Sequence, residues 1–223
     1  MMQGSAALAL WIDIDPASRD ECDTWYVEKH IADRIALPGW RRARRFRAEP
    51  GTAPATLALY EVEQAGQLVA DAYLRLQSEV DARDLRMRAS FRNVVRGTFR
   101  VARSIGQGEG GVMLSLRFLP DATRETDETA LRWLIDTLIP RIAALAGVVG
   151  VHLLIGAPEL RAQHDGHRKS GNTDAHAHRV LLVEATEVDR IDPVRLLLED
   201  TAGVLNSDDK EVGIYRLMYA ISG

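Results

Sequence analysis

A pattern of residues near position 25 recurs half a chain later, and this repeat constrains the fold more than any other feature of the sequence. Residues 25–31 read Trp-Tyr-Val-Glu-Lys-His-Ile, and residues 133–139 read Trp-Leu-Ile-Asp-Thr-Leu-Ile. Gly39 follows the first tryptophan at the same distance as Gly147 follows the second. Self-similarity of this length indicates two copies of one structural unit within the 223-residue chain.

The two copies share one predicted order of elements. Apolar runs bounded by Pro, Gly or Asp predict strands, and apolar residues three or four positions apart predict helices. Ser18 and Glu21 have the spacing of a capping box at the start of the first helix. The predicted strands are residues 7–14, 40–48, 56–62, 94–105, 112–118, 148–155, 179–186 and 212–221. The predicted helices are residues 18–37, 65–90, 125–145 and 192–203.

This order predicts an α+β chain with two halves, residues 1–107 and residues 108–223, joined by the Gly-rich linker 107–111. Each half has the order β-α-β-β-α-β of a ferredoxin-like split βαβ unit, whose helices lie on one face of the sheet. The strand at residues 7–14 is apolar on both faces, so the uncovered face needs a second layer. We expect the two tandem repeats to pack sheet to sheet as a pseudo-two-fold α/β barrel within one chain. Homodimerisation is the competing way to cover the same face.

The first helix of each copy provides an internal comparison. In the second copy an apolar stripe faces the predicted sheet and includes Leu134, Leu138 and Ile142. At the same distances from the first tryptophan, the first copy carries Tyr26, His30 and Arg34. A buried polar group without a hydrogen-bond partner costs about 1–3 kcal/mol, so these replacements need a compensating environment. We predict a pocket between helix and sheet in the first half. The alternative is that the three side chains lie at a partly solvated helix edge.

The predicted pocket assigns roles to particular residues. His30 is the candidate general acid or base, because an unperturbed histidine has a pKa of about 6.5. Tyr26 and Arg34 are the other candidate catalytic residues, and Arg34 or Arg44 would hold an anionic group of the substrate. The candidate substrate-binding residues on the predicted strands are Asp13, Arg44 and Tyr60, with Glu61 as the alternative to Tyr60.

Composition and charge exclude several classes of partner. The chain is 46% hydrophobic and 27% charged with a formal net charge of −4, which is typical of a soluble globular protein. We expect no nucleic acid and no membrane as partners, since no apolar run reaches the ~20 residues that span a bilayer. Cys22 is the single cysteine, so no intramolecular disulfide is expected, and we assign the chain to the cytoplasm.

The arginines at positions 41, 42, 44, 45 and 47 are the feature that most favours an RNA-binding interpretation. The acidic total and the scarcity of interleaved aromatic residues argue against it. The alternative is an edge strand protected by its charges, with salt bridges to the acidic second half.

Four histidines in a polar, Gly-containing segment raise the question of a metal site. His164, His167, His176 and His178 lack standard metal-ligand spacing, so we expect a loop between strands and no metal. His30 and His152 are the histidines that could ligate a haem iron, but no pattern requires haem. We therefore expect no cofactor.

The aromatic pair Trp25-Tyr26, His30, the Pro38-Gly39 turn and the strand that follows resemble the dimeric α/β-barrel superfamily, and within it the EthD-like group. The motif similarity covers roughly residues 8–62, and the order of elements matches through both halves. The second half lacks the histidine and keeps the scaffold. The superfamily includes cofactor-free oxygenases, lactone isomerases, decarboxylase-like proteins and haem proteins, and fold analogy alone cannot choose among them.

Three hypotheses about function follow. In the first, the chain is a small cofactor-independent enzyme of isomerase, decarboxylase or oxygenase type that acts on an apolar or aromatic acid. In the second, it binds or senses a small molecule in the same pocket without chemistry. In the third, it is a structural homo-oligomer without a ligand. We expect a small-molecule ligand, and either a monomer with an intrachain pseudo-dimer or a homodimer.

Overall fold

The computed structural model describes residues 1–120, 123–166, 174–199, 201 and 210–223, and within them nine strands form one sheet. Eight of these strands close an antiparallel barrel, because β1 pairs with β3 on one side and with β4 on the other. The strands are β1 (Ala6–Ile14), β2 (Trp40–Ala48), β3 (Thr56–Val62), β4 (Phe91–Gly106), β5 (Val112–Phe118), β6 (Val148–Gly156), β7 (Ala175–His176), β8 (Arg179–Ala185) and β9 (Glu211–Ser222).

The order of strands around the barrel confirms the predicted fold class. The first half contributes β4-β1-β3-β2, and the second contributes β9-β5-β8-β6, each in the order of a ferredoxin-like sheet. The halves join where β2 pairs with β9 and where β4 pairs with β6. The short β7 adds to β4 in parallel and takes no part in closing the barrel. The chain is thus an intrachain α/β barrel built from two tandem ferredoxin-like repeats.

Helices cover the outside of the barrel. The α-helices are α1 (Arg19–Trp25), α2 (Ile31–Ile35), α3 (Asp71–Ser78), α4 (Ala82–Ala89), α5 (Arg124–Trp133), α6 (Ile139–Ala143), α7 (Pro158–Gly166) and α8 (Asp192–Glu199). Two π-helical turns, Tyr26–His30 and Leu134–Leu138, join α1 to α2 and α5 to α6. Short 3₁₀ turns lie at Pro16–Ser18, Ala65–Val69 and Val188–Ile191. No helix among the described residues is long and apolar enough to cross a membrane.

Fine details of the backbone repeat between the halves. The two π-helical turns begin at the residue after each tryptophan of the repeat. Gly39 and Gly147 adopt nearly equal positive φ angles of 79° and 83°, a conformation that favours glycine. A register shift follows each of these glycines, at the start of β2 and at the start of β6. The duplication therefore preserves the geometry that positions the helix over the sheet.

Several predicted elements differ from the observed ones. Ser18 is the residue before α1, but its side chain makes no capping hydrogen bond, so the predicted capping box is wrong. The predicted helix at 65–90 is broken into a 3₁₀ turn and two helices, because Asp81 caps α4 in a capping box of its own. The predicted loop after β6 contains the helix α7, Pro158–Gly166. Residues 167–173, within the histidine-containing segment, lie outside the described residues.

Three apolar clusters fill the molecule. One lies between the first-half sheet and its helices, the second between the second-half sheet and its helices, and the third inside the barrel. The third cluster includes Trp11, Phe46, Leu59, Met113 and Tyr215, which come from both halves. Both faces of each sheet are therefore covered, as the two-sided apolar character of the strands requires.

Strand β2 carries its arginines inside a closed sheet. It pairs with β3 and β9, so the prediction of a charge-protected edge strand is wrong. Arg42 and Arg44 point into the barrel, where both contact Glu61 and Arg44 also contacts Glu184 of the second half. The predicted ionic contacts with the second half are thus present, but they cross the barrel interior.

Candidate functional site

The first helix presents three polar side chains to the outer face of the first-half sheet. Tyr26 and His30 belong to the π-helical turn, and Arg34 lies one turn further along α2. Their exposed fractions are 0%, 8% and 4%, so none of them lies at a solvated helix edge. A π-helical turn is a rare distortion that is frequent at functional sites. Because the second half contains the same turn, the side chains distinguish the two halves, and the backbone does not.

Aromatic rings surround His30. Its imidazole centroid lies 4.1 Å from the ring of Trp25, 4.7 Å from that of Tyr26 and 6.4 Å from that of Tyr60. Trp25 is in turn fixed by the neighbouring helix α4, because its indole N–H donates a hydrogen bond to Asp84 at 2.8 Å. The imidazole is therefore packed between the helix and β3 with its ring position fixed.

Arg34 is a buried cation whose contacts are aromatic rings and a backbone carbonyl. Its Nη1 donates to the carbonyl of His30 at 2.6 Å. Its guanidinium carbon lies 5.9 Å from the ring centroid of Tyr60 and 6.0 Å from that of Tyr73. No carboxylate of the described residues forms an ion pair with Arg34. A buried charge of this kind is favourable only when a counter-charge or hydrogen bonds offset its desolvation.

Three tyrosine hydroxyls accompany the arginine. Those of Tyr26, Tyr60 and Tyr219 are buried without a hydrogen-bond partner among the described residues. Tyr219 comes from β9 of the second half, which barrel closure places beside β2. Arg45 of β2 lies over the Tyr26 ring at 3.5 Å, and its Nη2 donates to Asp23 at 2.6 Å. We call this set the tyrosine–arginine cluster: Tyr26, His30, Arg34, Arg45, Tyr60 and Tyr219.

Burial controls the protonation of the cluster. Desolvation, reinforced by the nearby charge of Arg34, lowers the pKa of His30 well below its usual value. Desolvation raises the pKa of Tyr26 and Tyr60 above the usual value and that of Tyr219 to about 12. At neutral pH the cluster therefore combines a neutral imidazole, protonated phenols and two guanidinium cations.

The equivalent space in the second half is filled with hydrocarbon. Leu134, Leu138 and Ile142 are each fully buried in the apolar cluster between helix and sheet. The polar character of the first half therefore belongs to that half alone, on an otherwise repeated scaffold.

The structure places the predicted site residues in three different regions. Tyr26, His30, Arg34 and Tyr60 come together in the tyrosine–arginine cluster. Arg44 lies on the opposite face of β2, inside the barrel, where its guanidinium meets Glu61 at 3.0 Å and Glu184 at 2.8 Å.

Asp13 is likewise outside the cluster. Its carboxylate accepts from the backbone N–H of Ala55 at 2.6 Å and from the Asn93 amide at 2.7 Å, at one end of the barrel. Asp13 and Arg44 therefore lie outside this cluster, since alternate residues of a strand face opposite sides of the sheet, and their substrate-binding roles stay predictions.

Arg45 and Tyr219 are the members of the cluster that the sequence analysis missed. The alternation along β2 separates Arg45 from Arg44, but it does not reveal which face meets the helix. Tyr219 reaches the cluster only because β9 pairs with β2, a contact between halves that no local pattern encodes.

The remaining histidines do not join this region. His152 is fully buried in the barrel, with Nδ1 at 2.9 Å from the Ser104 hydroxyl and Nε2 at 2.9 Å from Glu184. Both nitrogens are thus engaged, which does not fit ligation of a haem iron. His30 is enclosed by rings on both sides and does not fit that role either.

A metal site finds no support in the described part of the chain, where no group of three His, Cys, Asp or Glu side chains could hold a metal ion. The side chains of His164 and His167 lie outside the described residues, so the absence of a metal at that segment stays a prediction.

Comparison with known proteins identifies the fold. No protein-family model matches the chain, and no curated protein matches it. An anthrone oxidase-like protein of known structure is similar over 97% of this chain and 92% of that chain, with 12% identity and a TM-score of 0.66. A candidate monooxygenase from Fusobacterium nucleatum matches over 99% and 96% of the two chains, with 11% identity and a TM-score of 0.58.

A third structure, an uncharacterised ferredoxin-fold protein from Listeria monocytogenes related to antibiotic biosynthesis monooxygenases, is 10% identical and covers 98% and 97% of the two chains with a TM-score of 0.52. At such low identities these similarities are evidence of fold alone. Together with the closed barrel of eight strands, they show that the chain has the dimeric α/β-barrel fold.

Proposed function

We propose that the chain is a small cofactor-independent enzyme that acts on an apolar or aromatic carboxylic acid in the tyrosine–arginine cluster, on an EthD-like scaffold. The observation that carries this proposal is Arg34, which is 4% exposed and has no ion pair with a described carboxylate. A carboxylate is the group whose binding would offset the desolvation of a buried guanidinium. The surrounding rings of Trp25, Tyr26 and Tyr60 favour an apolar or aromatic body for the same ligand.

His30 would be the acid–base residue. Its lowered pKa keeps the imidazole neutral at pH 7, so it is able to accept a proton from a C–H or O–H group of the bound acid. The imidazolium that forms would then lie beside the substrate anion. Tyr26 and Tyr60 remain protonated because their pKa values are raised, and their hydroxyls would donate to an enolate or phenolate oxygen.

Isomerisation and cofactor-free oxygenation begin with this proton transfer, and decarboxylation forms a similar anion when CO₂ leaves, so all three reactions require stabilisation of a substrate anion. The similar structures described as oxidase-like or related to monooxygenases favour the oxygenase type. They support this choice by analogy of fold, and the residues of the cluster are compatible with all three reactions.

The alternative is a binding or sensing protein that uses the same cluster without chemistry. The observation that favours it is the close packing of His30, whose ring lies 4.1 Å from Trp25 and 4.7 Å from Tyr26. A histidine held this tightly is also consistent with a purely structural role in the wall of a binding site.

Phenylpyruvate is a suitable probe, because it combines an aromatic ring, a carboxylate and acidic C–H protons. We would measure its affinity by calorimetry and the exchange of its C–H protons in D₂O by NMR, for wild type, His30→Leu and Arg34→Leu. His30→Leu introduces the residue that the second half carries. We expect wild type to accelerate exchange, and His30→Leu to lower the rate by about 100-fold or more while binding is retained.

Arg34→Leu tests the anion-binding role in the same experiment. We expect it to weaken phenylpyruvate binding by about tenfold or more, the effect of losing a charge-assisted hydrogen bond. Exchange that is equally fast in wild type and His30→Leu would refute the enzyme and leave the binding protein. Absence of binding to wild type, or affinity unchanged by Arg34→Leu, would refute the proposed site.

A further inference from the structure

The barrel is open at the end remote from the linker. A cavity of about 950 Å³ lies where β1 and β5 end and where β4 and β9 begin. Its lining includes Asp13, Phe91, Asn93, Val95, Arg117 and Val212. Arg117 packs against Trp11 of β1, with its guanidinium carbon 5.0 Å from the centroid of the Trp11 ring. The cavity is distinct from the tyrosine–arginine cluster, and none of its lining residues is a member of that cluster.

Arg117 is the buried cation of this cavity. The residue is 7% exposed, and its Nη1 has no hydrogen-bond partner among the described residues. Its Nη2 pairs with Glu211, whose side chain is 65% exposed and therefore largely solvated. Arg117 therefore lines the cavity with a guanidinium that has one unused donor, Nη1, which is itself shielded from solvent. An anion bound at this wall would accept a hydrogen bond from the guanidinium.

The other polar groups of the rim are already engaged. Asp13 accepts hydrogen bonds from the backbone of Ala55 and from Asn93, and Arg92 pairs with Asp15. Asn93 adopts a φ of 48°, a conformation that is uncommon outside glycine and tolerated by asparagine. The rim therefore supplies one unused charged donor, that of Arg117.

The rest of the cavity is apolar. Phe91 and Val94 are buried, Val95 is half-buried, and Val212 is 48% exposed although it is a large hydrophobic residue. Small-molecule sites have volumes of roughly 300–1,000 Å³, apolar walls and a few convergent polar groups. This cavity has all three properties.

We propose that the open end of the barrel is a second ligand site, specific for an apolar monocarboxylate such as a medium-chain fatty acid. The carboxylate would bind Arg117, and the hydrocarbon body would pack against Phe91, Val95 and Val212. No residue of the tyrosine–arginine cluster lines this site, although the ring of Phe91 lies 6.4 Å from that of Tyr26.

Calorimetric titration of the full chain with sodium decanoate, below its micellar concentration, tests the proposal. Arg117→Leu removes the anion-binding group, and Arg34→Leu serves as the control for the other site. Val212→Glu and Val212→Lys form a matched pair at an exposed position of the lining, where either residue is tolerated in a folded protein.

We expect decanoate still to bind Arg34→Leu, in which the other candidate carboxylate site is removed, and its affinity to fall by about tenfold or more when Arg117→Leu is added to that variant. Val212→Glu should weaken binding and Val212→Lys should strengthen it, since the added charge repels or attracts the carboxylate. The Val212 pair decides the matter if Arg117→Leu does not fold. Failure of wild type to bind, equal affinities of the Val212 pair, or a loss confined to Arg34→Leu would overturn the proposal.

Discussion

His30 is a buried histidine that desolvation, together with the surrounding positive charges, keeps neutral. It lies between two aromatic rings and near Arg34, so both desolvation and a like charge oppose its protonation. Both effects depend on the folded structure, because an unfolded chain exposes the imidazole to water. The protonation of this one residue should therefore link the stability of the fold to pH.

The sign of that linkage can be predicted. Above pH ~6.5 the imidazole is neutral in both states and contributes no pH dependence. As the pH falls below this value, His30 binds a proton in the unfolded chain but not in the folded protein, so the free energy of unfolding decreases. This decrease amounts to at most about 1.4 kcal/mol per pH unit, and we expect it to be absent in His30→Leu.

Urea denaturation of wild type and His30→Leu between pH 4.5 and 7.5 measures the effect. All other titrating groups are common to the two proteins, so the difference between their unfolding free energies reports on His30. A difference that stays constant across this range would contradict a lowered pKa.

At the scale of elements, the chain contains one helix–sheet unit twice, with polar side chains between helix and sheet in the first copy and apolar side chains in the second. The π-helical turn and the positive-φ glycine occur in both copies, so the backbone presents equivalent positions to each sheet. The first copy fills them with Tyr26, His30 and Arg34, and the second with apolar residues. At these positions, in the part of the chain that the structure describes, the first copy surrounds a polar side chain with rings, a cation and tyrosine hydroxyls, and the second has hydrocarbon.

Exchanging one residue between the copies should therefore have unequal effects on stability. Leu138→His places an imidazole in a hydrocarbon core without a partner, and we expect a loss of about 2–4 kcal/mol in the free energy of unfolding. His30→Leu removes a desolvated polar group, and we expect a loss below about 1 kcal/mol or a gain. Chemical denaturation at pH 7 measures both, and equal losses would contradict the difference between the two interiors.

The same elements show what a sequence can and cannot reveal. The repeated tryptophan and glycine spacing, with strands apolar on both faces, was sufficient to predict the barrel. The break at Asp81 does not follow from the sequence pattern, because the apolar spacing continues through it. In the structure the capping box of Asp81 starts a new helix there. In the site, the comparison of copies located Tyr26, His30 and Arg34. It could not locate Arg45 or Tyr219, which depend on the face of β2 and on closure of the barrel.

At the scale of the whole molecule, a buried ionic network joins the two halves inside the barrel. Arg44 lies between Glu61 of the first half and Glu184 of the second, and Glu184 also contacts His152. Hydrogen bonding to His152 and the charge of Arg44 hold the pKa of Glu184 well below its usual value, against the opposing effect of burial. The linker participates as well, because the Gly110 amide donates to Glu184 at 3.0 Å.

Loss of Arg44 should therefore destabilise the barrel strongly. Arg44→Met leaves two buried carboxylates without their shared cation, and we expect a loss of about 3–5 kcal/mol in the free energy of unfolding. Arg41 on the same strand pairs with Glu63 at an exposed position, so Arg41→Met is the matched control, with an expected loss below about 1 kcal/mol. Urea denaturation measures both losses, and similar values would show that the network does not hold the halves together.

Binding of a carboxylate beside Arg34 in the first half is best tested by a crystal structure of the protein with phenylpyruvate. We expect the carboxylate at hydrogen-bonding distance from the Arg34 guanidinium, about 2.7–2.9 Å, with the aromatic ring among Trp25, Tyr26 and Tyr60. A ligand found only at Arg117, or a tyrosine–arginine cluster that remains closed around its own side chains at saturating phenylpyruvate, would refute binding at Arg34.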